Sequence, residues 1–211
     1  MPVVSLNNLS AKYRKTVLED ITLEAGAGSC IGLLGLNGSG KSTLLSVIAG
    51  VKKPASGTVK TEGKIGFVTQ ENALIDELNA LDNILMWTDK TDDEVKEALR
   101  ESELSVLKVA DFLEVPVKNM SGGMKKRLAI ASVLITGPEI LLLDEPLAAL
   151  DLTAKRDILK FIDDYKSRGN IVFIASHEEQ VFAHCDRVYL LKSGKVSPVD
   201  NDSAVIELLN D

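Results

Sequence analysis

Three glycines, a lysine and two hydroxyls fall within eight residues, Gly35-Leu36-Asn37-Gly38-Ser39-Gly40-Lys41-Ser42. Gly35, Gly38 and Gly40 have no Cβ, so the backbone there can take positive φ and come close to a ligand. Successive N–H groups in such a loop point inward and form an anion nest. Lys41 adds a point charge for the outer phosphates, and the Ser42 hydroxyl can reach a Mg²⁺ ion. The spacing is the P-loop pattern, and its chemistry is the binding of a nucleoside triphosphate.

Further chemistry lies downstream. Asp144 and Glu145 end the apolar run Ile140-Leu141-Leu142-Leu143, and Pro146 stops it. Side chains alternate along a strand, so the two carboxylates point apart and suit different roles, one near Mg²⁺ and one near a water. His177 follows Ile171-Val172-Phe173-Ile174-Ala175-Ser176, and Gln70 follows Lys64 to Thr69. Polar residues at the C-terminal ends of strands in an α/β sheet face the usual ligand crevice. Ser121-Gly122-Gly123 joins an N-capping serine to two glycines at a helix start, which exposes backbone N–H groups to a second anion. Tyr13 lies in a polar connection, either as a surface aromatic or as a ring stacked on a base. Lys125-Lys126-Arg127 reads as a wet helix face from which one side chain could lean toward phosphate. His184 has no such placement.

The elements that must position these groups can be read from their periodicity. Cys30 to Leu34 suits a buried strand, and Thr43 to Ala49 suits a helix stopped by Gly50, so the glycine loop joins a strand to a helix N-terminus. Residues 3–24 read as two strands with a turn between them, and 58–60 and 64–69 as two more. Glycines and β-branched runs then vanish. Leu78, Leu81, Ile84 and Leu85 have helical spacing, and Thr91-Asp92-Asp93-Glu94 is a capping box. Leu104, Leu107 and 109–113 suggest a third helix that Pro116 ends. Helices are expected over 125–135, 153–167 and 203–209, and a closing hairpin over 187–197 through Ser193-Gly194. The fold class is α/β: a mostly parallel sheet flanked by helices, with an N-terminal antiparallel β part and an inserted helical subdomain. One domain spans 1–211, with the core and β part at about 1–70 and 136–211 and the helical insert at about 71–135.

The 211 residues carry 45% hydrophobic and 26% charged side chains, ordinary for a globular protein. A net charge of −7 disfavours nucleic acid as a partner. Cys30 and Cys185 lie in apolar settings and read as buried free thiols of a reducing compartment. No signal peptide opens the chain, and no apolar run approaches the ~20 residues that span a bilayer. Any membrane part is expected on another chain.

Along its whole length the sequence resembles the ATP-binding cassette (ABC) ATPases. The resemblance rests on ordered motifs: Tyr13 (A-loop), Gly35 to Ser42 (Walker A), Gln70 (Q-loop), Ser121-Gly122-Gly123 (signature), Ile140 to Glu145 (Walker B), Ala149-Leu150-Asp151 (D-loop) and His177 (H-loop). It implies that Tyr13 stacks on adenine and that Gly35, Leu36, Asn37, Gly38, Ser39, Gly40, Lys41, Ser42 and Thr43 hold ATP. It places Ser42, Gln70 and Asp144 around Mg²⁺, Glu145 on the attacking water and His177 on the γ-phosphate. Ser121, Gly122 and Gly123 would bind the ATP of a second cassette, identical or paralogous, sandwiched head to tail. The chain departs from the family's usual Leu-Ser-Gly-Gly-Gln signature with Met120 and Met124, and has Ala148 where a serine often precedes the D-loop.

The function implied is that of the ATP-hydrolysing subunit of a transporter, cytoplasmic and peripheral on the inner face of the cell membrane through a separate permease docked against residues 70 to about 112. The alternative is a soluble ABC ATPase powering a process such as metal-cluster assembly. A long coiled-coil insert, usual in repair-type members, is absent from the sequence, and there is one cassette rather than two. Glu145 and His177 speak against a non-catalytic cassette.

Overall fold

The computed structural model describes residues 1–199; the helix expected over 203–209 lies outside them. The chain opens with β1 (Val3–Lys12) and β2 (Thr16–Gly26), paired antiparallel. Val4, Leu6, Leu9 and Ala11 on one strand and Leu18, Ile21, Leu23 and Ala25 on the other are buried. Polar residues between them face out, the pattern of a half-buried sheet. β3 (Cys30–Leu34) is buried at every position. It runs through the glycine loop into α1 (Lys41–Ile48), beyond which Gly50 takes φ 72°. β4 (Ser56–Glu62) returns to β1 and completes a three-stranded sheet, β2-β1-β4, and β5 (Ile65–Val68) enters the second sheet.

The segment that follows is helical. α2 (Ala80–Leu85) is capped by Asn79. α3 (Asp92–Glu101) starts from the expected capping box, with the Thr91 N–H donating to Glu94 Oε2 at 2.7 Å. The third helix expected over 104–113 is not α-helical. It forms two 3₁₀ segments, Glu103–Leu107 and Val109–Phe112, joined by Lys108 at φ 53°. The left-handed residue breaks the α-helical ladder, and the Lys108 ammonium is drawn 2.8 Å from Asp157. The tighter 3₁₀ turns still bury Leu104, Leu107, Val109 and Phe112. α4 (Gly122–Leu134) begins three residues before its apolar periodicity, because Ser121 caps it directly.

β6 (Ile140–Asp144), α5 (Leu152–Ser167), β7 (Ile171–Ser176), the short α6 (Glu179–Phe182), β8 (Arg187–Lys192) and β9 (Lys195–Val199) follow. The second sheet runs β5-β6-β7-β3-β8-β9, parallel except for β9. The closing hairpin turns through Ser193 (φ 49°) and Gly194 (φ 80°), both left-handed as a two-residue loop of that kind requires. α6 carries no periodic signal of its own.

Alternation along the central strands sends their side chains into two cores. Leu141, Leu143, Val172 and Ile174 join the helical side with Leu128, Ile158 and Phe161. Ile140, Leu142, Ile171 and Phe173 face α1 and the three-stranded sheet. Parallel strands covered on both faces must be apolar throughout, which is why these runs lack alternation in the sequence. Cys30 and Cys185 are free and buried, with sulfurs 3.6 Å apart. Contact with Cys30 and burial push the Cys185 thiol far above the usual range.

Candidate functional site

The glycine loop leaves β3 in the middle of the parallel sheet and enters α1. Gly40 caps α1 at φ 110° with no side-chain hydrogen bond, so the first-turn N–H groups stay open to an anion. A Cβ on Gly40 would lie 2.9 Å from Leu18 Cδ2, and one on Gly35 would lie 2.5 Å from the Leu191 carbonyl and 2.6 Å from Ser39 Oγ. The backbone therefore passes where no side chain fits. Lys41 is buried beneath the loop. Its Nζ donates to the Gly35 carbonyl at 2.7 Å and the Leu36 carbonyl at 3.3 Å, and lies 3.7 Å from Glu145 Oε1.

β6 delivers the two carboxylates. Asp144 is 4% exposed, and its Oδ1 has no hydrogen-bond partner among the described residues. Burial raises its pKa; a hydrogen bond from Ser42 and the charges of Lys41 and Lys126 oppose this. Glu145 steps off the strand at φ 48°, a left-handed conformation unusual for a non-glycine residue. Its N–H donates to the Ala175 carbonyl at 2.9 Å. Its Oε1 sits 3.0 Å from His177 Nδ1, and its Oε2 accepts from Ser176 Oγ at 3.3 Å. Ser176 is fully buried and also accepts from the Glu178 N–H. Sequence reasoning passed over it, although its place as the last residue of an apolar strand, just before His177, was a usable signal.

A cavity of about 250 Å³ brings Asn37, Gly38, Gly40, Lys41, Ser42, Thr43, Gln70, Asp144 and Glu145 together with Val17. A second cleft of about 730 Å³ flanks the loop's other side, against Thr16, Val17 and 190–194. Tyr13 lines neither. It is 66% exposed, and Lys52 Nζ stands 3.6 Å from its ring centroid, so one face of the ring is already covered. Ser121, Gly122 and Gly123 line neither cleft. Ser121 Oγ accepts from the Met124 N–H at 3.2 Å, and a Cβ on Gly123 would stand 3.0 Å from that of Ala154. Asp151 caps the adjacent α5 through the Ala154 N–H at 2.8 Å. The Ser121 turn and Asp151 thus form a separate, neighbouring pair of helix N-termini.

Ser42, Gln70 and Asp144 present oxygen donors, as a hard cation such as Mg²⁺ prefers, and the unpartnered Asp144 Oδ1 is a ready ligand. Among the described residues no group of three or more His, Cys, Asp or Glu side chains gathers as a metal cage. That fits an ion bound through one or two side chains and substrate phosphates.

A buried, under-satisfied carboxylate destabilises the fold that holds it. An acid whose pKa is raised by folding costs nothing below its unfolded pKa; its penalty grows as pH rises from the unfolded to the folded value and is constant above that. In the nucleotide-free chain, Asp144→Asn should therefore raise Tm at neutral pH, with the gain shrinking as pH falls toward the ordinary aspartate value of 3.8. Differential scanning fluorimetry at several pH values checks this; a gain that shrinks with rising pH contradicts it.

A family model described as ABC transporter matches residues 18–148. An ABC transporter ATP-binding protein of Listeria monocytogenes serotype 4b (strain F2365) is 37% identical over 216 residues, covering 92% of this chain and 80% of the relative. The energy-coupling factor transporter ATP-binding protein EcfA2 of Thermotoga maritima is 36% identical over 198 residues, covering 86% and 74%. Among solved structures, the ATP-binding cassette MJ0796, dimeric in a post-hydrolysis state with ADP and Pi, matches with a TM-score of 0.81 at 27% identity, covering 94% of this chain and 98% of that one.

Proposed function

We propose that this chain, which belongs to the ABC transporter family of ATP-binding proteins and is an ATPase, works by closing head to tail on a second cassette and so drives a separate permease. The observation that carries this reading is the division of the site. Gln70, Asp144 and Glu145 gather with the phosphate loop, whereas Ser121 to Gly123 and Asp151 face elsewhere in the same chain. Their free N–H groups are suited to an anion that their own phosphate loop cannot bring them. A second copy turned by a two-fold axis would bring each turn to the other's ATP.

Each side chain then has a task. Lys41 leaves the carbonyls of its own loop for the β- and γ-phosphates. Ser42, Gln70 and Asp144 would hold Mg²⁺, whose chemistry there would be to offset negative charge on the phosphates. Glu145 orients the attacking water and accepts its proton, and the Ser176 hydroxyl holds the carboxylate in place. His177, half-exposed beside Glu145, is placed to reach the γ-phosphate. Tyr13 stacks on adenine with its uncovered face or after Lys52 moves aside.

Complementation tests the arrangement. Lys41→Ala disables one chain's phosphate loop, and Ser121→Arg blocks the other's turn. Each variant alone should be inactive, and their mixture should recover a large fraction of one site's turnover. A mixture no more active than its components would refute the head-to-tail pairing.

The permease would dock in the groove beside Gln70. Phe67, Leu74, Trp87 and Val133 line it, Trp87 is about half exposed, and the buried Asn72 Oδ1 there has no partner among the described residues. An apolar cleft with a half-exposed tryptophan suits the apolar face of a short cytoplasmic helix. Among the described residues no helix is long and apolar enough to cross a membrane. Trp87→Glu should abolish co-purification of a polytopic membrane protein while ATP turnover of the isolated chain stays within about twofold; aromatic anchors of this kind carry much of an interface's affinity. Undiminished co-purification would remove the groove from the interface.

A further inference from the structure

Lys126 does not lie on the wet face that its neighbours suggest. Lys125 is partly exposed and pairs with Asp76 at 3.0 Å, whereas Lys126 is 4% exposed. Its ammonium donates to the carbonyls of Thr69 at 3.4 Å and Gln70 at 3.3 Å, just past the end of β5. Asp144 and Glu145 favour its charge, while burial disfavours it and prevails. Two long bonds to carbonyls are poor compensation for burying an ammonium, and a methionine would fill the same space without that cost. Buried charge of this kind gathers at functional sites.

We propose that Lys126 is a positioning residue of the ATPase: its ammonium ties the segment bearing Gln70 to the helix that starts with the Ser121 turn. One side chain thereby links the residues that act on a chain's own ATP to those offered to its partner's. When the helical segment moves, the carbonyls of Thr69 and Gln70 move with it, and Gln70 enters or leaves the cleft occupied by Asp144 and Glu145. Lys126 bonds the Thr69 and Gln70 carbonyls rather than the phosphate loop, so nucleotide binding itself is expected to survive its loss. This rests on the two-cassette reading for its purpose, but the tie exists within a single chain.

Lys126→Met and Lys126→Arg in the full chain test it, with steady-state hydrolysis, binding of a fluorescent ATP analogue and hydrogen exchange of residues 69–74. Lys126→Met is expected to lower kcat by about tenfold or more, as small misplacements near a reaction do. KM and analogue Kd should stay within about twofold, and exchange at 69–74 should quicken; Lys126→Arg should recover most of both losses. A kcat for Lys126→Met within twofold of wild type, unchanged exchange, or an arginine variant as poor as the methionine one would each overturn the proposal. If Lys126→Met does not fold, Lys126→Leu takes its place, since it too has no donor for the two carbonyls. Exchange is read without nucleotide, so a wild type that failed to hydrolyse ATP would count against the catalytic reading while exchange still decided the tie.

Discussion

Glu145→Gln is expected to lower kcat by about 10²–10⁴-fold, the range supplied by a positioned general base, with ATP affinity little changed. The amide has nearly the same shape, so the 3.0 Å approach to His177 and the bond from Ser176 can persist in altered form. What it cannot do is accept the water's proton. The site is built around this one group. Its backbone is held at φ 48°, its N–H is tied to the Ala175 carbonyl, and Lys41 stands 3.7 Å from Oε1. Strain of that kind is retained only where the surrounding structure enforces it. Single-turnover hydrolysis and analogue binding on the same preparation separate the two effects. Turnover equally fast in both proteins would remove Glu145 from the catalytic role.

Lys41→Met should do the opposite and strike binding first. A hydrogen bond to a charged group contributes about 1.5–3 kcal/mol, so losing the ammonium should weaken ATP by about 10- to 100-fold. The structure makes the readout clean. Lys41 is packed beneath its own loop and bonds two loop carbonyls, and methionine can occupy much of the same space. Thermal stabilisation by ATP measures the loss by linkage: at a ligand concentration 100 times the wild-type Kd, stabilisation of about 2.7 kcal/mol should fall to about 0.4 kcal/mol for a 100-fold weaker site. An ATP-induced shift in Tm as large in Lys41→Met as in wild type would refute the assignment.

These two expectations are legible in the sequence, because local rules govern both motifs. Glycine spacing dictates where a backbone can cradle phosphate, and a run of four apolar residues ending in two carboxylates must be a buried strand with polar groups at its end. The capping box at Thr91 and the cap at Ser121 were equally local. One expectation that failed, a third helix over 104–113, failed at Lys108, whose left-handed backbone goes with a long-range pairing to Asp157 that no local pattern reports.

The residues alone thus determined the α/β class, the strands that feed the site and the glycine loop between β3 and α1, since each depends on interactions within about ten residues. Tertiary structure decided which groups meet. It set Ser176 and His177 on Glu145, brought Cys30 and Cys185 together across 155 residues of chain, turned Lys126 inward onto the Gln70 segment, and kept the Ser121 turn out of the cleft formed by the phosphate loop. Those placements come from strand order and helix packing, where residues far apart in the chain share one buried volume; spacing puts polar groups at strand ends but carries no record of which of them touch.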